Sequence, residues 1–193
     1  SYGVPAHTLP SARGQGEPLT GRLNPIAGAT FIDAIMGSDK QSYLFASDGG
    51  YGFVANFADI ITRNKNGKAL LTLPKGAKVL TPCPVDDYTN QLCVAVSNEG
   101  RMLIFPISDL PQLAKGKGNK IIGIPAAKLQ LREEFVTCIA VIGQEQSLLV
   151  YSGKRYLRVK PSDMEHYRGE RGRRGNKLPR GFQKVDYLKV DSD

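Results

Sequence analysis

The chain has no tryptophan, two histidines and three cysteines among its 193 residues. Lacking tryptophan, it cannot carry the WD dipeptide of one common propeller repeat, and nothing in it resembles a kelch double glycine with its spaced aromatics. Cys83, Cys93 and Cys138 are odd in number and show no C-x-x-C spacing, which argues against a disulfide framework or a zinc site. Set in TPCPV, LCVAV and VTCIAV, they read as small buried hydrophobes. His7 and His166 stand near opposite ends in loop-like sequence and read as surface residues. GKGNKI lacks the third glycine of a dinucleotide fingerprint, and no G-x-x-x-x-G-K-[ST] occurs. The carboxylate pairs Asp86-Asp87 and Glu133-Glu134 read as solvated turns, so an enzyme is the weakest expectation. No apolar run approaches the roughly 18 residues of a membrane span, and no basic-then-apolar leader opens the chain. A cytosolic location is expected. Acidic residues are also scarce, 18 against 26 Lys+Arg, which leaves a formal charge of +8 and a pI near 9.4. That balance favours a polyanion or an anionic membrane face as partner.

What the chain does have is a repeat. Four basic, glycine-rich stretches, ARGQGEPL, NKNGKALL, GKGNKII and GRRGNKL, align on Gly16, Gly67, Gly118 and Gly175, at intervals of 51, 51 and 57 residues. A second landmark keeps the same beat in ASDGGYGFV, VSNEGRMLIF and YSGKRYLRV, and a third follows it at Asp59, Asp109 and Asp163. Three landmarks in a fixed order mark a repeat protein. Each period reads as strands. In the middle copy ALLTL, KVLTPCPV, QLCVAV and RMLIFPI are β-rich runs separated by PKGA, DDYTN and SNEG. Hairpins are predicted to turn at Asp48-Gly49-Gly50, Asn98-Glu99-Gly100 and Ser152-Gly153-Lys154. Short helical turns are expected after the Asp landmarks, with Ser108 or Asp109 as a cap. The repeated aspartates read as turn or cap residues rather than a metal set. About four strands in fifty residues is the size of one blade of a propeller-like array. The expected division is a preceding blade's tail at 1–15, repeats at 16–66, 67–117 and 118–174, and a partial closing repeat at 175–193. An array cut in mid-repeat that begins at Ser1 predicts a fragment of a longer protein.

The basic loops are the candidate binding set. They contribute Arg13 and Arg22; Arg63, Lys65 and Lys68; Lys115, Lys117 and Lys120; and Arg171, Arg173, Arg174 and Lys177. Glycine lets backbone amides approach a phosphate, and the flanking cations neutralise its charge. Stacked blades would place these loops in a periodic cationic track. The loops lack the helix-borne side chains that read base edges, and no aromatic platform adjoins them in sequence. Duplex DNA bent along a curved surface is therefore the expected ligand, held by its backbone. About two phosphates per loop predict a log K against log salt slope near −7. No catalytic or metal-ligating residue is expected.

Over essentially its whole length the chain resembles the C-terminal domain of ParC, the gyrase-A-like component of bacterial DNA topoisomerase IV, which is paralogous to the C-terminal domain of DNA gyrase A. The resemblance is carried by LPSARGQGEPLTG, ASDGGYGFV, EGRMLIFPISDLPQLAKGKGNKII and GERGRRG. It implies an all-β pinwheel, propeller-like, whose neighbouring blades exchange strands, and DNA bent around a basic outer rim. Gyrase carries a full box of the form Q-[RK]-R-G-G-[KR]-G, tied to chiral wrapping. Here Gln15 lies inside ARGQGEP, and GERGRRG lacks the glycine pair followed by a basic residue. The resemblance therefore implies binding and bending rather than wrapping. It also implies a nucleoid-associated parent enzyme, a heterotetramer of ParC with ParE, in which ParE supplies ATP hydrolysis and Mg2+ ligands. The cleaving tyrosine belongs to an N-terminal domain, so no cofactor and no catalysis are expected in this chain. A gyrase-type wrapping domain and a protein-interaction propeller are the alternatives.

Overall fold

The computed structural model describes residues 1–11 and 13–191. Ala12, in the first basic loop, and Ser192 and Asp193, at the end of the closing repeat, lie outside the described residues. Alternating apolar runs form three antiparallel hairpins: β1 (Ser42–Ser47) with β2 (Tyr51–Asn56), β4 (Leu92–Ser97) with β5 (Arg101–Pro106), and β8 (Ser147–Ser152) with β9 (Arg155–Val159). Between and after them lie β3 (Cys83–Val85), β6 (Asn119–Lys120), β7 (Val136–Ile142), β10 (Asn176–Lys177) and β11 (Tyr187–Asp191). The sheets have the orders β3-β1-β2-β6, β10-β5-β4-β7 and β11-β8-β9. Each hairpin is thus flanked on its inner strand by a strand from the next repeat. In the first two sheets the outer strand is covered by a short strand that follows a later basic loop. A sheet is not one continuous stretch of sequence. This is the strand exchange of a β-pinwheel.

Side-chain alternation fills the space on both faces of the middle sheet. Cys93, Ala95, Leu103 and Phe105 face Leu44, Ala46 and Val54 of the first sheet. Val94, Val96, Met102 and Ile104, with Cys138 of β7 beside them, face the other way, towards Leu148 and Val150 of the third sheet. The far face of the first sheet packs Tyr43, Phe45 and Phe53 against Ile60 and Leu70.

The hairpin turns fall where the sequence predicts them, and each is tied to the following repeat. The Lys78 amide donates to Asp48 Oδ1 (2.7 Å), and the Asp48 amide donates to the Lys78 carbonyl (2.9 Å). Phe135 and Asn98 repeat the same pair of bonds at 2.9 and 3.0 Å. In the third hairpin the roles reverse, with the Gly153 amide donating to Asp186 Oδ2 (2.6 Å).

Elsewhere the strands are shorter than the apolar runs suggest. KVLTPCPV pairs over Cys83–Val85, with one further bridge from Val79 to Ser47; Pro82, which has no amide to donate, lies in the gap between them, whereas Pro84 sits within the paired strand opposite Tyr43. ALLTL makes a single bridge, Leu71 to Gly116. Short helical turns do follow the outer strands, as α1 (Phe57–Ile60), a 3-10 turn at Ile107–Asp109 and α3 (Pro161–Met164); the sequence reading did not anticipate α2 (Ala126–Gln130). Neither Ser108 nor Asp109 caps its turn, whose N-cap residue is Pro106. Asp163 does, accepting the Lys160 amide at 3.3 Å.

The loop glycines explain why these positions repeat. Gly118 and Gly175 have φ of +74° and +72°. A methyl group on Gly118 would overlap the Gly52 carbonyl, and one on Gly175 the Met102 carbonyl. Gly16 has a φ of +73° but open space around it. We expect Gly118→Ala to cost on the order of 3 kcal/mol in urea denaturation, combining left-handed strain with a backbone clash. Gly16→Ala should cost about 1 kcal/mol, from strain alone. Equal losses would mean that the close approach at Gly118 contributes nothing.

Candidate nucleic-acid interface

The third and fourth basic loops are excursions from the outer strands. The third leaves β2 where the Leu113 amide donates to the Val54 carbonyl (2.9 Å) and returns as β6 against Tyr51 and Gly52. The fourth leaves β5 where the Gly169 amide donates to the Ile104 carbonyl (3.1 Å) and returns as β10 against Arg101 and Met102. The second ends on the first residue of the chain, the Lys68 amide donating to the Ser1 carbonyl at 2.8 Å. With its ends fixed this way, the intervening segment must project from the sheet edge.

Successive loops also touch one another. The Asn24 amide, just past the first loop, donates to the Lys65 carbonyl of the second (2.9 Å). Gly116 of the third bonds Leu70 and Thr72, just past the second, at 2.9 and 2.8 Å. The Gly172 amide of the fourth donates to Ile121 (2.9 Å), and the Gly123 amide donates to the Arg173 carbonyl (2.8 Å). The four loops therefore form one hydrogen-bonded series along a rim. Open clefts of about 380 and 330 Å³ lie at the last two junctions, the first beside Lys115 and the second beside Lys120 and Arg173.

The cations on this rim are not equivalent. Arg13, Arg63, Lys65, Lys115 and Lys120 are exposed, with no carboxylate partner among the described residues. Lys117 is exposed and stands 3.9 Å over the Tyr51 ring, an aromatic neighbour distant from it in sequence. Lys68 donates to the Asp59 carbonyl, and Arg22 pairs with Glu17 at 2.9 Å. The fourth loop has the most formal charge and the most pairing. Arg173 meets Glu170 (2.9 Å), Lys177 meets Glu99 (3.6 Å), and Arg171 donates to the Lys120 carbonyl (2.6 Å). Arg174 meets Glu134 at 2.7 Å.

Glu134 corrects the sequence reading. Its side chain is 1% exposed, not solvated, because the α2–β7 connection folds it beneath the fourth loop. No local signal marked its burial, since Arg174, the closer of its two partners, lies 40 residues away. Tyr51 had a signal, the Tyr-Gly pair at 2–3 that recurs at 51–52. Asp87 does behave as a solvated turn residue. The Asn90 side chain, with the Thr89 and Asn90 amides, holds its carboxyl below the usual range.

His7 and His166 are exposed, and no group of three His, Cys, Asp or Glu among the described residues could hold a metal ion. No helix among them is long and apolar enough to cross a membrane. Cys93 and Cys138 are buried and Cys83 is half-buried. Burial, reinforced by Cys138, pushes the Cys83 thiol up to about 11, and burial raises Cys93 and Cys138 as well.

Comparison with known proteins agrees with the geometry. A family described as DNA gyrase C-terminal domain, beta-propeller, matches residues 41–85 and 91–142. The gyrase-A-like component of DNA topoisomerase 4 from Pseudomonas aeruginosa is 56% identical over 191 residues, 99% of this chain and 25% of that protein. Its Escherichia coli K12 counterpart is 49% identical over 192 residues, 100% of this chain and 25% of that protein. The chain belongs to the family of topoisomerase IV ParC C-terminal domains. The solved E. coli ParC C-terminal domain superposes with a TM-score of 0.91 at 48% identity, covering 100% of this chain and 77% of that one. A DNA gyrase A C-terminal domain shares the fold alone, at a TM-score of 0.62 and 16% identity, over 78% of this chain and 50% of that one. The chain spans about a quarter of the length of the curated relatives it matches.

The raised thiols lead to a direct check. All three cysteines should resist a thiol-specific disulfide reagent at pH 7.5 in buffer and react together in denaturant, because the thiolate is the reactive form. Rapid labelling of Cys93 in the folded chain would contradict the packing between the first two sheets.

Proposed function

We propose that the chain binds and bends duplex DNA as an accessory domain of a type IIA topoisomerase, presenting a DNA segment to the catalytic core for relaxation and unlinking. The observation that carries this reading is the unbroken series of basic loops, each hydrogen-bonded to the segment after the one before it. Rigid cations at repeated spacing neutralise successive phosphates and carry no base code, which suits an enzyme that must act on any sequence. The track can hold a bent duplex because its third and fourth loops are rooted in sheet edges and the four loops are bonded to one another. The degenerate boxes favour bending over gyrase-style wrapping.

On the same reading, cleavage and ATP hydrolysis take place outside this chain. The parent is an ATP-dependent DNA topoisomerase, and ParE completes a cytoplasmic, nucleoid-associated heterotetramer and supplies the ATP and Mg2+ sites. This chain contributes charge and shape, and needs no cofactor to do so.

Titration of a duplex of about forty base pairs in increasing salt tests the reading, with FRET between the duplex ends reporting the bend. Affinity should fall with a log–log slope of about −4 or steeper, and FRET should rise on binding. Binding indifferent to salt would assign the loops to solubility and the domain to a protein partner. Salt-dependent binding without a FRET change would leave a straight-DNA clamp.

A further inference from the structure

The most cationic stretch of the sequence also has the most ion pairs; those of Arg173 and Lys177 lie at the exposed surface, and Arg174 alone meets a buried carboxylate, Glu134. The Glu134 side chain is 1% exposed, and neither of its oxygens accepts a hydrogen bond in standard geometry. Its countercharges are the Arg174 guanidinium at 2.7 Å and the Lys128 ammonium at 3.7 Å. Lys128 is 49% exposed and Arg174 42%, so solvent screens both, and Arg174 is the closer partner of the buried charge. The Arg174 guanidinium also donates to the Gly123 carbonyl (3.2 Å), so it points into the array. A phosphate that drew the guanidinium away would leave the buried carboxylate with the more distant Lys128 alone. The neighbouring loops show no such arrangement. Lys115, Lys117, Lys120, Arg63 and Lys65 are exposed and meet no carboxylate among the described residues.

We propose that Glu134 is a positioning residue for the DNA track, withholding Arg174 from phosphate and pinning the fourth loop, so that Arg63, Lys65, Lys115, Lys117 and Lys120 make the principal phosphate contacts. The proposal rests on the DNA-binding reading and divides its labour. The second and third loops hold DNA, and the fourth fixes the rim. The formal charge of a loop is a poor guide to its role, because a guanidinium that neutralises a buried carboxylate releases no counterion when DNA arrives.

The test compares wild type with R174Q, E134Q, the double variant E134Q/R174Q and K115A/K117A/K120A, each by thermal melting and by the salt slope of duplex binding. R174Q should lower Tm by about 5–10 °C, since it strands a buried charge, and the double variant should recover most of that loss. At a temperature where all are folded, the double variant should keep the wild-type slope. The triple variant should flatten it by about 2.7 and weaken binding at least tenfold. E134Q frees a cation beside the track and should steepen the slope by about one, a change that loss of a purely structural pair would not produce. A double variant flattened by about one, a triple variant with the wild-type slope, or an E134Q slope no steeper than wild type would each overturn the proposal. Wild type without salt-dependent binding would overturn the DNA-binding reading itself and this division with it. The melting results would still report whether Glu134 and Arg174 are coupled.

Discussion

A two-stranded hairpin leaves a row of unpaired amides and carbonyls on its outer strand, and such an edge invites pairing with any passing chain. In this protein the outer strands β2 and β5 are covered by short strands arriving from later in the sequence, β6 and β10, and these are the return legs of the basic loops. The cover is only two residues long on each strand, so it requires close backbone approach. Glycine at 118 and 175 permits that approach where a methyl group could not fit. Covering an edge and displaying a cationic loop are thus one structural act. Among the described residues β9 has no such cover, and its sequence, RYLRV followed by Lys160, carries the charges that commonly blunt an edge.

This coupling explains the constancy of the repeat better than a charge requirement does. Lys, Arg and acidic residues vary freely among the four loops, yet the glycine persists, and its φ stays between +72° and +77°. The turn residue behaves the same way. Asp48 and Asn98 differ in charge but offer the same oxygen to the same kind of backbone amide. Asp48 carries an added charge and meets Arg132 at 2.8 Å, a pairing the Asn98 turn does not need. What recurs in the sequence is the backbone requirement, with charge fitted around it.

The sequence was legible where information is local or periodic. The three hairpins, their turns and the basic loops all rest on residues close together in the chain. Legibility failed where a contact spans repeats. Glu133-Glu134 looks like any polar turn until the fold brings Arg174 over it, and Lys117 is an ordinary lysine until Tyr51 lies beneath it. Strand length failed for a different reason. KVLTPCPV has the apolar content of a strand, but the ladder breaks around Pro82, which composition alone does not weigh. Sheet membership was the least legible feature, since β6 belongs to a sheet whose hairpin ended 63 residues earlier, at Asn56.

The difference between a basic track and a basic tail is mechanical. Bending a site of 20–30 base pairs through 40–90° costs on the order of 1–6 kcal/mol by smooth elastic estimates, and the duplex pushes back with that energy. A disordered tail with the same charge would neutralise as many phosphates while following the straight duplex, so it could bind without bending. A loop tied at both ends to an outer strand, and sideways to its neighbour, cannot move without breaking those hydrogen bonds. The amides at the loop roots therefore resist the elastic force, and the cations at the tips transmit it. On the proposed reading, affinity belongs to the lysines and arginines of the second and third loops, and curvature belongs to glycines, β-bridges and the Glu134–Arg174 pair, which need not touch DNA.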